Sequence, residues 1–165
     1  MTDWLTAAEM RAWRAYISTY GDLGTALEGD LMAQGVSLGD YQVLVYLSEA
    51  ADRSMRMCDL AEHLQLSPSG LTRRLDGLVK SGAVVRQGSE SDRRVMMAVL
   101  TDVGFATLER AAPFHVASVR RRIFDQLDAD QVSALESIFT AINTGLHNDP
   151  ACAAARLVTL SDVSA

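Results

Sequence analysis

Residues 67–82 read SPSGLTRRLDGLVKSG, and this stretch decides the fold. Ser67 suits the N-cap of a helix, and Pro68 suits the first helical position, where its missing N–H would have no partner anyway. Gly82 suits the position just past the end, where the backbone often turns left-handed. We therefore predict a helix over residues 68–81.

This predicted helix has an apolar face and a polar face. At about 100° per residue, the apolar face carries Leu71, Leu75, Leu78 and Val79. The opposite face, called the outer face below, carries Ser69, Gly70, Arg73, Gly77 and Lys80, with Thr72 and Arg74 on its flanks. Solvent-facing glycines lower helix stability, and a close approach to another surface would explain them. DNA is the natural candidate.

The elements on either side of this helix complete a DNA-binding pattern. Residues 57–64 predict a short bracing helix, and Gln65-Leu66 is the turn that follows it. Residues 83–86 and 95–100 are β-prone runs that predict a hairpin, with Gly88 in its loop. A helix-turn-helix of this kind places its second helix in the major groove of DNA.

Two helices are predicted ahead of this unit. Thr6 with Glu9 is typical of a capping box and opens a helix to about residue 34, which could be kinked at Gly21, Gly24 or Gly29. Residues 37–49 predict a second helix. One face of it is predicted to carry Leu38, Tyr41, Val45 and Ser48, with Leu44 and Leu47 beside it.

Two more helices are predicted after the hairpin. Thr101 or Asp102 opens one over residues 103–126, and Pro113 should bend or divide it because proline removes a backbone donor. A second capping box predicts a helix from Asp128 to about residue 147, with an apolar stripe of Leu135, Ile138, Phe139, Ile142 and Leu146. The predicted fold class is mainly α with a small β-hairpin wing.

The distribution of charge supports a nucleic-acid partner, although the net charge of the 165 residues is −6. Residues 1–52 hold two bases against eight acids, a balance of −6, and residues 95–165 have a balance of −3. Residues 53–94 hold eight bases against five acids, a balance of +3. Because phosphate attraction acts over about 8–10 Å, the regional balance outweighs the global one.

The start of the predicted recognition helix holds the candidate base readers. Ser69, Thr72 and Arg73 lie where side chains reach base edges, and arginine can donate two hydrogen bonds to guanine. Ser67 and the free N–H groups of the helix start suit a phosphate, and Lys80 at the far end suits another. An amphipathic helix with a merely solvated polar face is the alternative interpretation.

The hairpin tip holds a second basic group, Asp92-Arg93-Arg94. An arginine at a loop tip can enter the minor groove, where the negative potential is enhanced. The adjacent carboxylate could hold one guanidinium while the other reaches out. The alternative interpretation is a charged turn that keeps the hairpin soluble.

The chain resembles the MarR (multiple antibiotic resistance regulator) family over roughly residues 10–145. The resemblance lies in MCDLAEHL at 57–64, LTRRLDGL at 71–78, Gly82, Asp92-Arg93-Arg94 and LTDVG at 100–104. It implies a winged helix-turn-helix homodimer, usually a repressor, often released by a small phenolic or lipophilic ligand. It also implies that Asp92 organises the wing, that Arg94 is the family's wing arginine and that Arg93 occupies a variable position.

The resemblance also divides the chain into regions. It assigns the N-terminal helix (1–36) and the last two helices (102–148) to a dimer interface around a winged helix-turn-helix domain (37–101), with a tail (149–165). The apolar stripes fit this independently, because a DNA-binding unit of about 65 residues could not bury them. Two-fold pairing would place two recognition helices about one DNA turn apart, or a multiple of it, on a near-palindromic operator of double-stranded DNA.

An effector pocket is predicted between the dimer helices and the DNA-binding lobe. Its candidate lining residues are Trp13, Tyr16, Tyr20, Tyr41 and Phe114, with Arg11 available for a ligand carboxylate. Aromatic residues at helical spacing more often belong to a core, so core packing is the alternative interpretation for each of these residues.

Other functions find little support in the sequence. Cys58 allows a thiol-based redox sensor, although a small buried core residue is the commoner outcome, and Cys152 is expected to be inert. His63, His115 and His147 lack metal-site spacing and are expected to be ordinary surface or helix residues. We predict no metal, no cofactor and no enzymatic activity, since no phosphate loop, serine elbow or carboxylate pair is present.

Two further expectations concern partners and location. No apolar run reaches the roughly 18–20 residues of a membrane span, and the N-terminus does not resemble a signal peptide, so we expect a soluble cytoplasmic protein. A winged-helix module that binds protein instead of DNA remains the alternative, although exposed arginines on the outer face argue against it.

Overall fold

A computed structural model describes residues 3–89 and 94–148. Its helices there are α1 (Ala7–Met32), α2 (Leu38–Glu49), α3 (Met57–His63), α4 (Pro68–Lys80), α5 (Asp102–Arg122) and α6 (Ala129–Asn148). The strands are β1 (Ser54–Arg56), β2 (Val84–Gly88) and β3 (Met96–Leu100), and Ala51–Arg53 and Phe124–Gln126 form 3-10 turns. The predicted class, mainly α with a small winged hairpin, is confirmed. Asp92, Arg93 and the tail with Cys152 lie outside the described residues.

The predicted start of α1 is confirmed, and the helix is not interrupted at its glycines. The Thr6 hydroxyl accepts from the Glu9 N–H at 3.3 Å, and the Glu9 carboxylate accepts from the Thr6 N–H at 2.7 Å. The hydrogen bond from the Thr6 N–H lowers the pKa of the Glu9 carboxyl, and the Thr6 hydroxyl lowers it further. The helix runs unbroken past its three glycines to Met32, because glycine weakens a helix without breaking its hydrogen bonds. Gly35, at a φ of 77°, follows its end.

The centre of the core is α2, which α1, α5, α4 and the sheet surround. Its buried residues are Tyr41, Val43, Leu44 and Leu47. Of the residues predicted to share one face, Tyr41 is buried and Leu38, Val45 and Ser48 are partly buried, and Leu38 and Val45 pack against the core. A helix covered on several sides has no single apolar stripe, so its periodicity could not define the buried face.

The wing belongs to a three-stranded antiparallel sheet of order β1-β3-β2. Strand β1, which the sequence did not predict, pairs with β3 through Ser54 opposite Val99. Gly88 was predicted in the loop but lies in β2, opposite Met96. A three-residue strand is too short to show the alternation of apolar and polar residues that predicts a strand. It forms because it pairs with β3.

Helix α5 is continuous through Pro113, so the predicted division is wrong. The helix is anchored on both sides of the proline by buried Leu108, Ala111 and Ser118. It ends at Arg122, earlier than predicted, and Ile123, with φ −119° and ψ −70°, leads into a 3-10 turn.

A polar cluster joins α1 to α5. The Asp30 carboxylate accepts from the Ser118 hydroxyl at 2.5 Å and from Arg122 Nη2 at 2.8 Å, and Arg121 lies 3.1 Å away. The hydrogen bonds from Ser118 and Arg122 lower the pKa of Asp30. Ser118 is buried because its hydroxyl has this partner.

The described length of α6, residues 129–148, contains no buried residue. Its capping box is confirmed, since Asp128 and Gln131 exchange hydrogen bonds of 3.0 and 2.8 Å. Its apolar stripe is exposed, with Ile138, Phe139, Ile142 and Leu146 between 45 and 54% accessible. In residues 3–89 and 94–148, no helix combines the length and the apolar content needed to cross a membrane.

Candidate nucleic-acid interface

The recognition helix α4 begins and ends as its sequence predicts. The Ser67 hydroxyl accepts from the Gly70 N–H at 3.1 Å, and Pro68 occupies the first turn. The preceding turn contains Gln65 at a φ of 53°, and Gly82 at a φ of 75° follows the helix. These conformations place the helix start at the surface beside the end of α3.

The apolar face of α4 holds it to the core. Leu71, Leu75 and Leu78 are buried, whereas Val79 is 36% exposed, which corrects the prediction for that residue. Val79 lies about 80° around the helix from Leu71, at the edge of the stripe, where the packed surface ends.

The outer face is exposed at Ser69, Arg73, Gly77 and Lys80, while Gly70 is partly buried. The Ser69 hydroxyl lies 3.2 Å from that of Ser67. Thr72 is exposed, but its hydroxyl donates to the Pro68 carbonyl at 2.9 Å, so its single donor is used within the helix. The residues left to donate towards a ligand are therefore mainly Arg73 and Lys80.

Arg74 turns to a flank and contacts α2. Its Nη1 lies 3.8 Å from the Asp40 carboxylate, and a Cβ built on Gly39 would lie 2.4 Å from its Cζ. The guanidinium thus occupies the space where a side chain at position 39 would lie. An open groove of about 490 Å³ runs beside it, lined by Asp40, Leu66, Gly70, Arg73, Arg74 and Gly77.

Arg86 on β2 contacts the opposite flank of α4, and sequence reasoning missed its role. Its Nη2 donates to the Thr72 carbonyl at 2.7 Å and to the Asp76 carboxylate at 2.9 Å. Strand alternation places Arg86 on the same face as the buried Val84. The position of Arg86 on the inner face of its strand was the sequence signal that could have revealed its contact with α4.

The wing is fixed to α5 by the residues around Thr101. Its hydroxyl donates to the Gly82 carbonyl at 2.6 Å and accepts from the Gly104 N–H at 3.1 Å. A Cβ on Gly104 would lie 2.1 Å from the Ala83 carbonyl oxygen. The end of the recognition helix, the start of the wing and the start of α5 are therefore in direct contact.

The described part of the wing stops at Ser89 on one side and resumes at Arg94 on the other. The Ser89 N–H donates to the Val95 carbonyl at 2.8 Å, which extends the hairpin beyond β2. Arg94 is exposed there. Asp92 and Arg93, the other predicted tip residues, lie outside the described residues.

Several bases of the segment 53–94 are paired within the protein. Arg53 lies 3.1 Å from Asp102 and 3.9 Å from the Phe105 ring centre. Arg74 and Arg86 also have carboxylate partners. Among the described residues, Arg56, Arg73 and Lys80 make no ion pair within 4.0 Å. Two of these three lie on the outer face of α4.

The predicted ligand residues fall into separate places. Trp13, Tyr16 and Tyr20 form an exposed row along α1, with ring centres 5.9 and 6.0 Å apart. Arg11 is exposed on the same helix, about 140–200° around its axis from that row. Tyr41 instead lies in the core, with burial raising the pKa of its phenol, and Phe114 is 51% exposed.

His115 lies on α5 and is half-buried, within the expectation of an ordinary surface or helix histidine. Its ring centre lies 4.6 Å from that of Tyr41, and its buried Nδ1 has no hydrogen-bond partner among the described residues. Burial lowers the pKa of His115. An apolar cavity of about 350 Å³ adjoins it, lined by His115, Val116, Val119, Arg120 and Phe124.

Cys58 is exposed, so its prediction as a buried core residue is wrong. Its Sγ donates to the Asp59 carboxylate at 3.2 Å. Partial desolvation and the adjacent carboxylate raise the pKa of the thiol. This environment disfavours the reactive thiolate. In the part of the chain that the structure describes, no three His, Cys, Asp or Glu side chains are grouped to hold a metal ion.

Known proteins share both this sequence pattern and this arrangement. The family model described as MarR family matches residues 34–95. AbsC, a MarR family transcriptional regulator from Streptomyces coelicolor, is 38% identical, with a TM-score of 0.85 over 90% of this chain and 100% of its own. The chain belongs to the MarR family.

Two other relatives show the same relationship. Sco3205, a MarR family transcriptional regulator from Streptomyces coelicolor solved in complex with DNA, is 37% identical, with a TM-score of 0.84 over 88% of this chain and 92% of its own. The HTH-type transcriptional repressor YetL of Bacillus subtilis (strain 168) is 30% identical over 93 residues, 56% of each chain. The match thus spans little more than half of this curated relative.

Proposed function

We propose that this MarR-family protein is a homodimeric transcriptional regulator, most simply a repressor, that binds a near-palindromic operator in double-stranded DNA. The outer face of α4 carries the proposal, because Arg73 and Lys80 are exposed there and have no ion-pair partner among the described residues. The DNA-bound structure of Sco3205 and the repressor name of YetL support it.

The residues proposed to contact DNA divide by role. Ser69, Gly70, Thr72 and Arg73 would lie against base edges, with Arg73 as the main reader. Ser67 and Lys80 would contact phosphates, and Asp92, Arg93 and Arg94 would place the wing in the adjacent minor groove. Arg74 is proposed to act from the flank, since its guanidinium already lies on Gly39.

A second copy is proposed to cover α6 and the exposed row on α1. Tyr16 and Phe139 lie 6.3 Å apart and join the two surfaces into one apolar patch. A surface helix whose apolar side meets water gains no stability from packing. An isologous interface would bury the same patch on both protomers.

Binding to the upstream region of its own gene tests the function. With roughly 6–8 phosphate contacts per dimer, affinity should fall by orders of magnitude between about 50 and 200 mM salt. Arg73→Ala should relax base preference, whereas Arg94→Ala should weaken binding on all sequences. Fluorescence anisotropy with operator and scrambled duplexes measures both, and unchanged affinity and preference in both variants would contradict this placement of the readers.

A small lipophilic or phenolic effector is proposed to release the DNA. CouR of Rhodococcus jostii RHA1, 26% identical, was solved bound to p-coumaroyl-CoA. In this chain the apolar cavity beside His115, with Arg120 in its wall, is a better candidate place than the scattered aromatic residues. Titration of phenolic acids into the protein–DNA complex tests this, and no release at any concentration would contradict it.

The alternatives have weaker support. A protein-binding winged helix gives no reason for unpaired bases on the outer face, and the anisotropy measurement with DNA duplexes described above separates the two. A thiol-based sensor at Cys58 requires a thiolate, which the raised pKa of that thiol disfavours. If peroxide released DNA from the wild type and not from a Cys58→Ser variant, the sensor would be favoured.

A further inference from the structure

We propose that Arg86 is a positioning residue for base discrimination, which orients the recognition helix α4 against the wing without contacting DNA itself. This inference rests on the proposed DNA binding. The guanidinium spans from β2 to α4, where one nitrogen donates to both the Thr72 carbonyl and the Asp76 carboxylate.

The geometry makes Arg86 part of the protein's own packing. Its side chain is only 26% exposed, and its Nε is buried. Charge-assisted hydrogen bonds are short and directional, so the two acceptors limit both the rotation and the sliding of α4. Nη2 therefore donates within the protein, and little of the remaining guanidinium is exposed to a phosphate.

A second arginine acts on the opposite flank. Arg74 lies over Gly39 and beside Asp40, which connects α4 to α2. The helix is therefore held by Leu71, Leu75 and Leu78 from below and by one arginine on each side. A small rotation about its axis would move the tip of Arg73 by more than a hydrogen bond tolerates.

Asp76 gives this arrangement its strongest support. It is 61% exposed on a helix that is proposed to face phosphates, where an acid opposes binding. Electrostatics alone therefore predicts that its removal tightens binding to every sequence. If Asp76 holds Arg86 in place, its removal should instead reduce the preference for the operator.

The test compares operator and scrambled duplexes for the wild type and matched variants of the full chain. Asp76→Ala is expected to lower the operator-to-scrambled affinity ratio about tenfold while binding to scrambled DNA stays equal or tightens. Glu62→Ala, which removes an exposed acid from α3, is the control, and it should preserve the ratio.

The salt dependence of binding separates positioning from phosphate contact. Lys80→Ala should reduce the slope of log affinity against log salt by about 0.9 per protomer, whereas Arg86→Ala should lower the affinity ratio and leave the slope unchanged. The double variant Asp76→Ala/Arg86→Ala should be no worse than either single variant, because both remove the same bridge. Thermal unfolding shows which variants fold. If Arg86→Ala does not fold, Asp76→Ala provides the test alone, because its substitution is at an exposed position.

The outcomes are distinct. A slope reduced by Arg86→Ala with an unchanged ratio would make Arg86 a phosphate contact and overturn the inference. An unchanged ratio in Asp76→Ala would overturn it as well. If the wild type itself shows no preference for the operator, the proposed function fails, and the inference fails with it.

Discussion

At Gly104 the start of α5 passes so close to the wing that no side chain fits. A Cβ there would lie 2.1 Å from the Ala83 carbonyl oxygen and 2.6 Å from Leu100 Cδ1. The nearer atom belongs to the backbone, which is also bonded to Thr101, so it cannot move away cheaply. The glycine is required by space, not by its φ angle.

Gly104→Ala should therefore destabilise the protein. We expect the free energy of unfolding to fall by about 1–3 kcal/mol, as for overpacking in a tight core. Urea unfolding followed by circular dichroism measures the change. Gly21→Ala is the control, since no heavy atom of the described residues lies within 4 Å of its added methyl group, and equal stability of Gly104→Ala and wild type would contradict the prediction.

At the level of the element, α4 combines firm attachment with a bare outer face. Its leucines and its two flanking arginines fix it to the rest of the domain. Gly77 lies on the outer face, and no heavy atom of the described residues comes within 4 Å of the place where its Cβ would be. The free protein thus gives no packing reason for this glycine.

Gly77→Ala should separate folding from binding. In the free protein it should stabilise α4 by up to about 1 kcal/mol, because alanine favours the helix. If DNA approaches the outer face closely, the added methyl group should weaken operator binding at least severalfold. Urea unfolding and anisotropy measure the two effects, and tighter binding together with higher stability would show that DNA does not approach this position.

At the level of the whole molecule, the apolar patch on α1 and α6 and the buried histidine on α5 set the expected behaviour. The patch includes Tyr16 and Ile142, which are 43 and 52% exposed. His115 of α5 packs against Tyr41 of α2, with ring centres 4.6 Å apart. Assembly and acid stability therefore depend on contacts that join distant parts of the chain.

Ile142→Asp should convert the proposed dimer to a monomer, because each interface would bury two unpaired carboxylates. Sedimentation velocity measures the mass, and operator affinity should fall together with it. Ser137→Asp changes the same helix on its other side, about 140° away, and should remain dimeric. A dimer that persists in Ile142→Asp would place the interface elsewhere.

Stability should fall as the solution is acidified, in two steps. Burial lowers the pKa of His115 below its ordinary 6.5, so the neutral ring is favoured in the fold. Its contribution is complete above about pH 6.5 and is lost as pH falls through the lower, folded-state pKa. Asp30, whose pKa is lowered by Ser118 and Arg122, contributes above its ordinary 3.8 and loses that contribution below it.

His115→Phe should remove the first step and leave the second. Thermal unfolding between about pH 7 and 3 measures the profile. His147→Asn, at an exposed histidine of α6, is the matched control and should keep both steps. A first step that survives in His115→Phe would assign it to another group.

The sequence by itself determined the elements whose hydrogen bonds are local. Thr6, Ser37, Ser67 and Thr101 each cap a helix through a residue three positions later. The leucines of α4 and the turn at Gln65 likewise depend on neighbours within one helical turn. The winged helix-turn-helix and its exposed outer face follow from these patterns.

Only the tertiary structure decided which partners the side chains on the flanks of α4 and on the strands contact. The contact of Arg74 with Gly39 and Asp40 of α2 could not be predicted from the sequence, and Arg86 had no assigned role until β2 placed it 2.7 Å from the Thr72 carbonyl. Strand β1 exists because β3, more than 40 positions later, pairs with it. A cap depends on residues a few positions apart, whereas these contacts join distant segments that meet only when the core packs.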